Sequence, residues 1–277
     1  MQHEAAKPHL KAEVRDFWQD AACGEQLLLH SLDREGFKRQ AEERYRLEPF
    51  IVDFARFHDW RDKRVLEIGV GLGADHQRFV EAGAAITGVD LTPKAIELTE
   101  RRLQLFSLES DLRVGDAEIL DLPDNEFDLV YSWGVIHHSP DTQRAVHEIY
   151  RELKPGGTAR VMIYNKWSIV GLMLWFRYGF LRLRPFMSLR EVYSQYLESP
   201  GTKAYSNAEA RSLFSDFDDV RIRVVLSHGD LLSSGAGQRH QGKMLDIARR
   251  VWPRRIIQRF LSHRGLFMMI EAKKPSL

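Results

Sequence analysis

The run Arg64-Val65-Leu66-Glu67-Ile68 is an apolar strand pattern that ends in three alternating glycines, Gly69, Gly71 and Gly73, and a helical pattern follows from Asp75 to Ala82. Strand, glycine turn and helix in that order commit this part of the chain to an α/β unit able to cradle a nucleotide-like ligand. Gly69 and Gly71 let the backbone bend sharply and approach a ligand, and Gly73 lets the helix pack close to its strand. Free backbone N–H groups at the helix start favour a negative group such as a carboxylate. A glycine loop alone also fits a purely structural turn, so other features must decide.

A second strand, Ala85 to Val89, ends in Asp90 about twenty residues past the first glycine, where a carboxylate can meet a ribose diol. A third, Leu112 to Val114, ends in Gly115-Asp116-Ala117. A fourth, Phe127 to Ser132, ends in Trp133-Gly134-Val135-Ile136-His137-His138, and a Leu153-Lys154-Pro155-Gly156-Gly157 turn introduces a fifth, Ala159 to Ile163. These polar groups all fall at carboxyl ends of strands, where open α/β sheets bind ligands. As structural alternatives, Asp90 caps the helix opening at Pro93 and Asp116 is a turn residue.

Glu67, the three glycines, Asp90, Asp116-Ala117, the Phe127 to Val130 strand and the Lys-Pro-Gly-Gly turn together resemble the ordered motifs of class I S-adenosylmethionine-dependent methyltransferases, over about Lys63 to Tyr164. The resemblance implies an α/β fold: a Rossmann-like, doubly wound, seven-stranded sheet with an antiparallel last strand, a helical N-terminal cover and C-terminal insertions. It implies S-adenosyl-L-methionine as cofactor and S-adenosyl-L-homocysteine as product. Glu67, Gly69, Gly71 and Gly73 would hold the methionyl end, Asp90 and Leu91 the ribose side, and Asp116 and Ala117 the adenine edge, with Ser132 completing the set. A nicotinamide dehydrogenase is the competing enzyme, since Gly69-x-Gly71-x-x-Ala74 also satisfies the dinucleotide fingerprint. Some sixty residues of helical pattern before the first strand, and the Lys-Pro-Gly-Gly turn, favour the methyltransferase resemblance.

On this reading residues 1–60 form the cover, 61–164 the cofactor-binding core, and 165–277 the acceptor-site insertions plus the last two strands, Val220 to Leu226 and Leu266 to Ala272. In the cover, Val14, Phe17 and Trp18 share a helical face, and Tyr45, Phe50, Ile51 and Phe54 recur at helical spacing between Phe37 and Phe57. At 277 residues the chain can bury a full core, and its formal net charge of +1 gives no global field for nucleic acid. The single cysteine, Cys23, excludes an intramolecular disulfide and suits a reducing cytoplasm. The opening Met1-Gln2-His3-Glu4 has no basic region leading into an apolar run, so no secretory leader is expected.

Methyl transfer asks mainly for alignment, and a base helps if the acceptor is a hydroxyl. His137 and His138, just past the fourth strand, are the candidate catalytic residues, His138 preferred; the structural alternative is that both cap the sheet end and the Asp141 helix. No metal is expected, because neither a further His nor a carboxylate stands at ligand spacing to the pair. The segment Trp167 to Phe186, apolar and then interleaved with arginines, is open to three readings: a helix packed on the domain or on a partner subunit of a homodimer, a wall of the acceptor pocket, or a peripheral membrane contact. A basic stretch, Met244 to His263, is kinked or broken by Pro253. Ser206 and Glu209 form a capping box opening a helix from Asn207 to Phe214. Between the last two strands, Ser227 to Gly265 is too long for a hairpin loop and includes a Gly235-Ala236-Gly237 stretch. Tyr205, His228, Asp230 and His240 are unsupported candidates for acceptor contact. The expected activity is methylation of a small or lipid-like, apolar or aromatic acceptor at oxygen, with carbon methylation of a quinone-like substrate or a non-catalytic cofactor-binding module as alternatives.

Overall fold

The computed structural model describes residues 2–22, 24–233 and 249–276. Its strands are β1 (Arg64–Ile68), β2 (Ala85–Asp90), β3 (Asp111–Val114), β4 (Phe127–Trp133), β5 (Leu153–Tyr164), β6 (Asp218–Val225) and β7 (Phe267–Lys273). They form one seven-stranded sheet of order β3-β2-β1-β4-β5-β7-β6. Pairing is parallel from β3 to β5, and β7 runs antiparallel to both β5 and β6. The expected Rossmann-like topology is therefore present. The chain winds outward from β1 to β3, then returns to β4 on the other side of β1. The strand order reverses between β1 and β4, and the crevice at their carboxyl ends is where such a sheet takes a ligand.

Consecutive β4 residues feed opposite faces of the sheet. Leu129 and Tyr131 join Val65, Phe79 and Met162 on one side, while Val130 joins Leu66, Val146 and Val161 on the other. Burial on both faces explains why these strands read as nearly continuous apolar runs. Helices α5 (Ala74–Glu81), α6 (Pro93–Leu105) and α7 (Thr142–Glu152) make the crossovers. The cap of α6 is Thr92, whose hydroxyl accepts from the Ala95 amide, and Asp90 instead accepts from the Thr92 amide and hydroxyl at 2.9 Å each. β5 begins six residues earlier than the sequence pattern indicates, because Leu153 already pairs with Phe127 and the Pro-Gly-Gly stretch forms an irregularity within the ladder.

Ahead of the sheet lie α1 (Gln2–Asp20), α2 (Glu25–Leu28), α3 (Arg34–Leu47) and α4 (Phe50–Ala55). The Phe37 to Phe57 stretch is divided, since Pro49 cannot donate a helical hydrogen bond and Arg56 sits in the left-handed region at φ 49°. Two buried polar clusters hold α3 on the core. The Arg102 guanidinium of α6 donates to Gln40 Oε1, Gln77 Oε1 and Leu72 O at 2.7 Å and to Phe37 O at 2.8 Å. Asp75 of α5 accepts from Arg44 at 2.7 and 3.2 Å and from the Tyr45 and Tyr131 hydroxyls at 2.9 Å.

After β5 come α8 (Ile169–Tyr178), α9 (Leu189–Tyr196) and α10 (Asn207–Leu213), and between β6 and β7 lie α11 (His228–Leu231) and α12 (Arg254–Phe260). The Ser206–Glu209 capping box opens α10. An equivalent Ser188–Glu191 box opens α9, a helix that its short apolar pattern did not reveal. Cys23, the Gly235 to Gly237 stretch, His240 and residues 244–248 lie outside the described residues. No helix among the described residues is long and apolar enough to cross a membrane.

Candidate active site

A cavity of about 780 Å³ opens over the carboxyl ends of β1, β2 and β4. Its floor includes Glu67, Gly69, Gly71, Asp90, Leu91, Asp116 and Ala117. Gly71, at φ 55°, presents its backbone straight to this space: a Cβ added there would meet no atom within 4 Å. Its amide donates to Asp90 Oδ2 at 3.2 Å, which fixes the carboxylate at the crevice. Gly73 is not part of the wall. A Cβ on it would lie 2.8 Å from Thr99 Cγ2, so this glycine serves the close approach of α6 rather than the packing of α5 on its strand. Ser132 is fully buried in β4 and also absent from the wall, because strand alternation turns the neighbouring Trp133 to the cavity instead.

Glu67 reaches the cavity with its Oε2 2.8 Å from His76 Nδ1, and His76 Nε2 lies 2.7 Å from Ser110 Oγ. Burial pushes the Glu67 carboxyl well above its usual range and His76 down to about 3. Asp116 is shared: its Oδ1 accepts from the Glu118 amide, and its Oδ2 accepts from Lys11 Nζ at 2.5 Å. Lys11 donates equally to Glu118, which ties α1 across the cavity. Val14, Phe17, Trp18, Leu27 and Leu28 complete that side.

The histidines separate. His137 is fully buried, absent from the wall, and packed against the Tyr164 ring at 4.0 Å with the planes tilted by 45°; neither ring nitrogen makes a hydrogen bond among the described residues. Burial drives its pKa well down, which with its position removes it as a base. His138 lines the cavity edge-on to Trp18 at 5.2 Å. Its Nδ1 is 2.8 Å from Ser199 Oγ and 3.1 Å from Thr202 Oγ1, and its Nε2 is 3.4 Å from Glu198 Oε2. Glu198 also accepts from the Tyr164 hydroxyl at 2.7 Å. Burial by itself would raise the Glu198 carboxyl, but His138 and Tyr164 outweigh it and hold it below its ordinary value. The expectation that no carboxylate accompanies the histidines is therefore corrected: His137, His138 and Glu198 offer ligand atoms within 4.8 Å of one another. The sequence hides this, because Glu198 is sixty residues away and arrives on the turn after α9.

Glu48, at the end of α3, is a second carboxylate missed by the sequence reading. Its Oε2 makes no hydrogen bond among the described residues and lies 3.7 Å from Arg44, while Oε1 is 4.0 Å from His228. Both Glu48 and His228 line the cavity. Asp230 does not: it is buried, caps α11 through Ser227 and accepts from the Val170 and Leu266 amides. Tyr205 is likewise off the wall, bridged to Asn165.

Residues 66–161 match the family model described as a methyltransferase domain. Residues 66–161 are thus a methyltransferase domain, and this part of the chain is similar to the class I S-adenosylmethionine-dependent enzymes. Phosphoethanolamine N-methyltransferase 2 of Caenorhabditis elegans is 36% identical to this chain over 117 residues, 40% of this chain and 26% of the relative. A ubiquinone biosynthesis O-methyltransferase of Coxiella burnetii is 30% identical over 97 residues, 35% of this chain and 42% of the relative. The chain thus spans well under half the length of these curated relatives. Among solved structures, a Haemonchus contortus phosphoethanolamine N-methyltransferase 2, in complex with phosphomonomethylethanolamine and S-adenosylhomocysteine, superposes with a TM-score of 0.60 at 18% identity. That match covers 95% of this chain and 60% of the other.

Proposed function

We propose that this chain methylates a hydroxyl on a small acceptor with an apolar or aromatic body, and that His138 and Glu198 take up the proton. The observation that carries this reading is the convergence of His138 and Glu198 on one cavity with the Gly71 loop and Asp90. S-adenosylmethionine, when bound, supplies an activated sulfonium methyl. The residues fit it: the Gly71 backbone faces open space, the Asp90 carboxylate is fixed at the crevice by the Gly71 amide and by Thr92, and Asp116 with Ala117 lines the part of the cavity that the resemblance gives to the adenine. Trp133, Met173, Phe176 and Phe267 give the cavity an apolar lining for the acceptor body.

The protein's own chemistry is alignment and proton removal. Glu198 is held anionic, so an acceptor O–H that donates to it is oriented and made more nucleophilic. As the oxygen gains its methyl, the O–H bond breaks, and the proton passes to the carboxylate and its imidazole partner. Trp18 and the Lys11 tie close the cofactor side from water, in keeping with 1–60 as cover, 61–164 as binding core and 165–277 as acceptor side. A second reading, an amine acceptor, is favoured by the two carboxylates Glu48 and Glu198 on the same wall, and a relative named as an N-methyltransferase adds to it. Carbon methylation of a quinol-like ring must also release a proton, the ring C–H proton, and would draw on the same base.

The test is S-adenosylhomocysteine formation across phenols, quinols, hydroxylated lipids and primary amines, repeated with His138→Asn and Glu198→Gln. The oxygen reading expects turnover on hydroxyl acceptors, a fall in kcat of about 10² or more in each variant, and unchanged S-adenosylhomocysteine affinity. Turnover on amines alone, or full kcat in both variants, overturns it.

A further inference from the structure

The stretch following α8 exposes apolar side chains in a backbone that is firmly held. Trp175 Nε1 donates to Met187 O at 2.9 Å, the Arg184 amide to Gly179 O at 2.8 Å, and the Met187 amide to Arg184 O at 3.1 Å. Within this tied loop Leu183 is 91% exposed and Phe186 98% exposed, and Leu183 is kept in the left-handed region at φ 56°. A non-glycine residue there is conformationally disfavoured. Here the disfavoured backbone carries an apolar side chain left almost wholly exposed. Phe176 and Phe180, each about half exposed, extend the patch as a stacked pair 5.4 Å apart.

The segment that carries the patch is basic. From Lys166 to Arg190 the sequence holds five basic residues and no acidic one, although the whole chain has a net charge of only +1. Two carboxylates face these cations: Glu191, beside Arg184 and engaged in the α9 capping box, and Glu209, 3.3 Å from Lys166. A second strip, Arg249 to Arg264, holds six arginines and no acid, with Val251, Ile256 and Phe260 exposed. Both strips border the cavity: Phe176, Arg177 and Leu181 line it from one, and Trp252 from the other.

We propose that this face docks on an anionic lipid bilayer, with Leu183 and Phe186 entering the headgroup boundary, arginines pairing with lipid phosphates, and the cavity mouth held at the membrane surface. Exposed apolar residues flanked by arginines on a rigid element match the interface chemically. Lateral entry of a membrane-dissolved acceptor through the mouth rests on the methyl-transfer reading above; the docking does not.

The test is co-sedimentation of the whole chain with vesicles of phosphatidylcholine plus phosphatidylglycerol, and of phosphatidylcholine alone. The wild type should pellet with the anionic vesicles and be released by salt. Leu183→Asp/Phe186→Asp should bind at least about tenfold less, with its melting transition and S-adenosylhomocysteine affinity unchanged, and Arg182→Gln/Arg184→Gln should flatten the salt dependence. No wild-type binding to anionic vesicles at low salt overturns the proposal, as does equal binding by the Asp variant. A wild-type dimer that the Asp variant dissociates assigns the face to a second copy of the chain and also overturns it.

Discussion

Replacing Glu48 by Gln removes a charge that the fold holds at a cost. Glu48 is 9% exposed, its Oε2 lacks a hydrogen bond among the described residues, and burial raises its pKa from 4.5 to about 7 despite Arg44 at 3.7 Å. Asp75 and Glu198 add to the upward pressure. Because the folded value exceeds the unfolded one, the native state holds the extra proton between about pH 4.5 and pH 7, and stability is lost as pH rises through that window. At 1.36 kcal/mol per pH unit, the gap from 4.5 to about 7 is worth about 3.4 kcal/mol above pH 7, of which about 2.5 kcal/mol develops between pH 5 and pH 8. Gln is similar in shape and does not titrate. Urea unfolding of both proteins at pH 5 and pH 8 should show the variant gaining about 1 to 2.5 kcal/mol on the wild type over that interval, the lower figure allowing for water reaching the site. Other titrating groups, among them Glu152, which is also raised to about 7, cancel in the difference between the two proteins. A stability difference that is flat with pH would falsify the claim that Glu48 is a buried, reluctantly ionised carboxylate.

Arg102→Met should destabilise the protein by about 3 kcal/mol or more, since four buried acceptors lose their donor at once, and differential scanning calorimetry reads this directly. Lys11→Ala should leave the melting transition nearly unchanged but weaken S-adenosylhomocysteine binding by about five- to tenfold in calorimetric titration, because two charge-assisted ties across the cavity are lost. Unchanged affinity would separate α1 from cofactor retention. Dialysis against a chelator should leave turnover intact: His138 Nδ1 is engaged by Ser199 and Thr202, its Nε2 faces Glu198, and His137 lies off the wall. Activity lost to the chelator and restored by a divalent cation would make the three residues a metal site.

The glycine turn and the ends of β1, β2 and β4 were legible because each depends on a few consecutive residues, whereas the doubly wound sheet followed only from the family resemblance. Alternation, a missing Cβ and a Lys-Pro-Gly-Gly turn are local facts. Glu198, Glu48 and Arg44 were not legible, because each reaches the cavity on a helix or turn that only tertiary packing aims there. His137 and His138 show the limit of adjacency: neighbours in a tight turn point apart, and the chain alone does not say which faces inward. The same holds for Ser132 and Trp133 at the end of β4, where the choice depends on which sheet face the cover closes. The Thr92 cap was masked by Asp90 two residues earlier, an equally suitable cap type.

The Arg102 and Asp75 clusters decide how a ligand gets in. Both grip α3 through buried, multiply bonded groups, so α3 cannot swing without breaking the core of the domain. The chain before Asp33 is held by looser means: Lys11 across the cavity, Lys94 on Asp20 O and Glu25, and Arg101 on Leu32 O. Opening of the cavity to a ligand the size of a nucleoside is therefore expected at α1 and α2, near residues 29–33, and not at α3, and that expectation holds whichever acceptor the chain takes.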